Sequence, residues 1–125
     1  MACILVVEDI AVVRQSVRAV LEEVGHQVEE AADGNEGLRM MRERRYDLVI
    51  ADIWMPKLDG IALLKSMKAI ASPPPVIIIS GGGPKASLEL SATLAETWGA
   101  DAILYKPFED QELLDATNRL LKGAA

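Results

Sequence analysis

Four short apolar runs, Ile4–Val7, Leu48–Ala51, Val76–Ile79 and Ala102–Tyr105, punctuate the chain, together with a more polar one at Gln27–Ala31. Each is bounded by turn residues and is too short to be a helix of ordinary length. Such runs read as strands buried in a parallel sheet. The stretches between them carry helical spacing instead. From Ile10 to Val24, apolar residues at Val13, Val17, Val20, Leu21 and Val24 keep that period until Gly25 stops it. Asn35–Arg45 turns Leu38 and Met41 inward after an Asp33-Gly34 turn, and Gly60–Ile70 does the same with Ile61, Leu64 and Met67. A fourth helix over Lys85–Trp98 presents Leu90, Leu94 and Trp98, and a closing one over Asp110–Lys122 presents Leu113, Leu114, Thr117, Leu120 and Leu121. Ser72-Pro73-Pro74-Pro75 cannot continue a helix and forces an extended entry into the fourth strand.

Five strands alternating with five helices at this spacing predict right-handed βαβ units around a parallel sheet. No internal repeat or linker interrupts the pattern, so the expectation is one domain over residues 1–125 with no output domain attached.

The ends of the strands carry the chemistry. The first strand runs into Glu8 and Asp9, the third into Asp52, the fourth into Ser80 and the fifth into Lys106. The carboxyl edge of an open α/β sheet is where ligands bind, at the point where the winding reverses. With strand order 2-1-3-4-5, the first and third strands are neighbours there, which sets the acidic pair beside Asp52. Three carboxylates so close repel one another and call for a cation. Hard oxygen donors suit Mg2+ or Mn2+. Lys106 adds a point charge for Asp52 or for an incoming phosphoryl oxygen, and Ser80 adds a hydroxyl. A carboxylate, a divalent cation, a lysine and a hydroxyl are the parts that phosphoryl transfer to an aspartate requires.

Blander roles compete for these residues. Asp9 alone reads as the N-cap of the first helix. Asp52 is a poor cap, because the following Met55-Pro56-Lys57-Leu58-Asp59-Gly60 starts the next helix at Asp59. Gly81-Gly82-Gly83-Pro84 lacks the Gly-Lys-Ser/Thr unit of a phosphate loop and reads as a flexible connection. His26, just past Gly25, reads as a solvated turn residue. The basic cluster Arg39, Arg42, Arg44 and Arg45 falls at the end of the second helix, where positive charge suits the dipole.

Composition narrows the partners. A net charge of −6 does not support a duplex nucleic-acid footprint. Cys3 is the only cysteine, so no internal disulfide can form. The apolar start is broken at Glu8, too early for a signal peptide or membrane span. The expectation is a cytoplasmic protein with no nucleic-acid or membrane partner.

The chain resembles the receiver domains of two-component response regulators. It does so in Val6-Val7-Glu8-Asp9, in Asp52 through Gly60, in Ile78-Ile79-Ser80-Gly81 and in Tyr105-Lys106-Pro107-Phe108, each ending a predicted strand in the right order. The resemblance implies a flavodoxin-like, doubly wound (βα)5 fold: a five-stranded parallel sheet with helices on both faces. It implies Asp52 as phosphoacceptor, with Glu8, Asp9, Asp52 and the backbone carbonyl of Trp54 as ligands of Mg2+ or Mn2+. Ser80, beside Gly81, would be the switch hydroxyl, and Lys106 the phosphate-binding lysine ahead of a cis bond to Pro107.

The position three before the lysine, commonly aromatic in the family, is Ile103, and aromatic Tyr105 stands next to the lysine instead. The stretch from Ser80 to Lys106 is a few residues longer than usual. Trp54, two after Asp52, borders the path of attacking water in the family, and its bulk is expected to slow loss of the phosphoryl group.

The implied function is a phosphorylation-switched receiver and not a turnover enzyme. Its phosphodonor would be a histidine kinase or a histidine phosphotransfer protein. Its output would be contact with a protein target through the face of the fourth helix, fifth strand and fifth helix, as a monomer or weak homodimer. A receiver-like module that binds without phosphorylation is the alternative. A haloacid-dehalogenase-like phosphatase would carry a second Asp where Trp54 stands, and an FMN site would not place Glu8-Asp9 where phosphate must bind.

Overall fold

A computed structural model describes residues 2–55, 58–80, 97 and 99–123. Its strands are β1 (Cys3–Val7), β2 (Gln27–Ala31), β3 (Leu48–Asp52), β4 (Val76–Ser80) and β5 (Ala102–Tyr105). They form one parallel sheet in the order β2-β1-β3-β4-β5. The described helices are α1 (Ala11–Glu23), α2 (Gly34–Glu43), α3 (Gly60–Met67) and the closing helix α4 (Asp110–Gly123). The helix expected over Lys85–Trp98, with its inward Leu90, Leu94 and Trp98, lies outside the described residues apart from Thr97, as do Pro56, Lys57 and the loop from Gly81 to Pro84.

The sheet is buried on both faces and divides the core in two. Leu5, Val7, Val49, Ala51 and Ile78 pack with Leu38, Met41, Leu63 and Met67 on the α2 and α3 side. Their neighbours along each strand, Ile4, Val6, Leu48, Ile50, Ile77 and Ile79, pack with Val17, Leu21 and Leu113 on the α1 and α4 side. This is the period-two alternation of a strand filled on both faces, which is why β1, β3 and β4 read as unbroken apolar runs.

The helix ends follow local chemistry. The Asp33 carboxylate accepts from Glu36 N at 2.8 Å and starts α2 at Gly34, so the expected turn is an N-cap. Asp59 caps α3 in the same way, accepting from Ala62 N at 2.9 Å. Past α1, His26 N donates to Leu21 O and Gly25 N to Glu22 O, with Gly25 at φ +95°. That is the Schellman arrangement, and the left-handed conformation explains why glycine stands there.

Four expectations need correction. Val24 is 52% exposed, because it falls at the C-cap where the apolar face of α1 has already turned away. Helix α2 ends at Glu43, so only Arg42 of the basic cluster lies in its last turn. Arg44 continues in extended backbone, where its guanidinium pairs with Glu29 and lies over the Tyr46 ring. Helix α3 ends at Met67, and the next three residues tighten into i→i+3 bonds ahead of the prolines. His26 is half-buried, and its Nδ1 accepts from Ala2 N at 3.2 Å, so it closes the start of β1.

Gly60 sets how closely α3 can approach the sheet. A Cβ there would stand 2.7 Å from both the carbonyl oxygen of Asp52 and Cα of Ile53. Without one, Gly60 N donates to Ile53 O at 3.0 Å, and α3 begins flush against the end of β3.

Candidate functional site

Strand alternation decides which side chains meet at the carboxyl edge. On β1, Ile4 and Val6 face α1 and α4, and Glu8 is next in that series. On β3 the series is Leu48, Ile50, Asp52, and on β5 it is Ala102, Leu104, Lys106. Three charged residues from three strands therefore share one side of the edge. Lys106 Nζ lies 2.9 Å from Asp52 Oδ2 and 3.9 Å from Glu8 Oε2. Ser80 and Tyr105 fall in the opposite series.

Asp52 is buried at 4% exposure, and both of its oxygens are engaged. Oδ1 accepts from Trp54 N at 2.9 Å, and Oδ2 accepts from Lys106. Glu8 is buried at 2%. Its Oε1 accepts from Ile10 N at 3.1 Å, while its Oε2 has no hydrogen-bond partner among the described residues. Burial, and then the neighbouring Asp52 carboxylate, push the Glu8 carboxyl up to about 8. The two acids can hydrogen-bond each other only while one carries a proton. Ionised, they repel across a low-dielectric gap.

Asp9 is exposed, and its carboxyl stands within hydrogen-bonding reach of Glu8. Among the described residues, no three Asp, Glu, His or Cys side chains are gathered closely enough to hold a metal. The expected acids are thus a buried pair, Glu8 and Asp52, with Asp9 exposed next to Glu8. Asp9 is not the cap of α1: the N-cap is Ile10, with no side-chain cap bond.

Ser80 is fully buried, and among the described residues its Oγ has no hydrogen-bond partner. Its carbonyl accepts from Lys106 N at 3.0 Å, tying the end of β4 to the lysine. The Lys106–Pro107 bond is cis, as expected. Ile103 is half-buried on the α2 and α3 side, whereas Tyr105 is 42% exposed on β5. Trp54 is also 42% exposed, at the rim of the site. Gly81 lies outside the described residues.

The donors present suit a hard divalent cation. Among the described residues, Glu8 offers a buried carboxylate oxygen with no hydrogen-bond partner, and three carboxylates, Glu8, Asp9 and Asp52, stand with the ammonium of Lys106. The same surroundings also suit a phosphoryl group, which needs positive charge and donors around a carboxylate.

Comparison with known proteins agrees with this geometry. The family model described as "Response regulator receiver domain" matches residues 4–118. Chemotaxis protein CheY of Bacillus subtilis is 35% identical over 119 residues, covering 94% of this chain and 96% of its own. A transcriptional regulatory protein CpxR homolog of Haemophilus influenzae is 33% identical over 125 residues, and the chain spans 52% of that relative's length. A response regulator receiver domain protein from Clostridium thermocellum superposes with a TM-score of 0.89 at 36% identity, covering 98% of this chain and 96% of that one. Among the described residues, no helix is long and apolar enough to cross a membrane.

Proposed function

Because the chain belongs to the response regulator receiver family of two-component signalling, we propose that it is switched by phosphorylation of Asp52. The phosphoryl group would come from a phosphohistidine on a histidine kinase or a histidine phosphotransfer protein. A carboxylate oxygen of Asp52 attacks phosphorus, the N–P bond of the donor breaks, and the electron pair leaves with the imidazole. The product is an acyl phosphate whose added charge sits on three oxygens. Lys106, already 2.9 Å from Asp52, stays with those oxygens as the negative charge on the carboxylate is spent. The peptide N–H of Trp54 holds the carboxylate in register.

Glu8, Asp9, Asp52 and the Trp54 carbonyl would hold Mg2+ or Mn2+, which supplies charge neutralisation and orientation at the phosphoryl oxygens. The fully buried hydroxyl of Ser80, with no partner among the described residues, supports its reading as the donor that meets the phosphoryl group. The observation carrying the proposal is the buried Asp52 held by the half-buried Lys106, with buried Glu8 alongside.

Receiver domains are signalling modules, and we read the output as a protein contact through β5, α4 and the segment before β5, where Tyr105 is exposed. A cytoplasmic location and a monomer or weak homodimer complete the reading.

Intact mass after incubation with a small phosphodonor and Mg2+ tests it. Wild type should gain one phosphoryl mass, and Asp52→Asn and a chelated control should gain none. An unmodified wild type, under conditions that phosphorylate another receiver, would refute the reading.

A further inference from the structure

Glu8 is held at three of its four polar atoms. Its N–H donates to Ala31 O at 3.0 Å, its Oε1 accepts from Ile10 N at 3.1 Å, and its carbonyl accepts from Arg14 Nη1 at 2.8 Å. Only Oε2 is left over, in a residue that is itself 2% exposed. The carbonyl held by Arg14 belongs to the peptide joining Glu8 to Asp9. Fixing its direction fixes where both acidic side chains start.

Arg14 is itself anchored. Its Nε donates to Glu30 Oε1 at 2.7 Å, so one guanidinium spans from the Glu30 carboxylate on β2 to the Glu8 carbonyl beyond β1. A planar fork with donors on two sides holds both acceptors in a fixed geometry, which the compact ammonium of a lysine does not reproduce. Arg18, one turn on, takes the other oxygen of Glu30 at 2.6 Å and pairs also with Glu22, away from the site. The two arginines share a helix and a partner carboxylate but differ in the contact to Glu8.

We infer that Arg14 is a positioning residue of the cation site, orienting the Glu8–Asp9 peptide so that Glu8 Oε2 is presented beside Asp52. This rests on the reading of Glu8 and Asp52 as ligands of a divalent cation. Were Arg14 only a staple between α1 and β2, Arg18 would be its equal.

Titration with Mn2+, following free Mn2+ by electron paramagnetic resonance, separates the two. It is run on wild type, Arg14→Ala, Arg14→Lys, Arg18→Ala and Asp52→Asn, each paired with a urea melt. Arg14→Ala should weaken Mn2+ binding about tenfold, the scale of losing an outer partner of a metal ligand. Arg18→Ala should change it less than about twofold at a comparable loss of stability. Arg14→Lys should fall between, and it decides the matter against Arg18→Ala if Arg14→Ala does not fold. Arg14→Ala binding like wild type, or Arg18→Ala weakened as much, overturns the inference alone. Wild type that takes up no Mn2+, or Asp52→Asn that binds it unchanged, brings down the cation-site reading together with the inference.

Discussion

Replacing Glu8 with glutamine removes one of two buried like charges and keeps the shape of the side chain. The glutamine carbonyl can still accept from Ile10 N, and its amide can donate toward Asp52, which a carboxylate cannot do. The native environment raises the Glu8 carboxyl from 4.5 to about 8, so the folded protein holds a proton that the unfolded chain has already released. Stability therefore falls as pH rises from about 4.5 to about 8, and levels off above that window. At about 1.4 kcal/mol per pH unit, the interval sets a ceiling near 5 kcal/mol. Lys106, 3.9 Å away, can close on Glu8 as it ionises, and we expect about 2–3 kcal/mol to be realised. Urea melts in chelator at pH 5, 6, 7, 8 and 9 give the answer as the difference between Glu8→Gln and wild type. That difference should grow with pH in favour of the variant, and saturating Mg2+ should shrink it by stabilising wild type alone. A difference that stays flat from pH 5 to 9, or that favours wild type at high pH, refutes the argument that the acid pair is held against its own repulsion.

Other positions make sharp predictions. Trp54→Asn should lose its phosphoryl group several-fold faster than wild type, followed by intact mass after the donor is removed, because the indole at the rim no longer shields the acyl phosphate; an unchanged rate counts against shielding. Gly60→Ala should cost about 1–3 kcal/mol in a urea melt, since its methyl group would meet Asp52 and Ile53 backbone atoms that cannot yield without moving the end of β3. Thr117 is fully buried, and among the described residues its Oγ1 has no hydrogen-bond partner. Thr117→Val should therefore raise stability by about 1 kcal/mol, or about 4 °C in Tm for a domain of this size. Glu30 is held below the usual carboxylate range by Arg18 and then Arg14. The stability it contributes is present above about pH 4.5 and lost as pH falls through its lowered folded value, so Glu30→Gln should narrow the gap between melts at pH 3 and pH 6.

Much of this architecture was legible in the residues. Unbroken apolar runs identified most of the strands, and their polar ends put Lys106 within reach of Asp52, a contact the structure gives at 2.9 Å. What the residues alone could not reveal depends on contacts between segments far apart in the chain. That Asp9 stays exposed while Glu8 and Asp52 are buried depends on distances a sequence does not state. The Arg14 contact goes to a main-chain carbonyl, and an acceptor present at every residue leaves no mark in a sequence. Arg44 looked like a helix-end charge because nothing local shows that Glu29 and Tyr46 wait for it across β2. His26 looked like a turn residue for the same reason, its partner being the N–H of Ala2 at the start of the chain.

The strand order also sets a timetable. β1 is interior, flanked by β2 and β3, so the first half of the chain suffices to assemble three neighbouring strands, and β4 and β5 then add outward on one side. Glu8 and Asp52 both belong to that early half, whereas Lys106 arrives on the last strand to join. As the chain leaves the ribosome N-terminus first, the two acids become neighbours before the counter-charge between them exists. Docking of β5 at once completes the sheet and brings the ammonium that faces both acids.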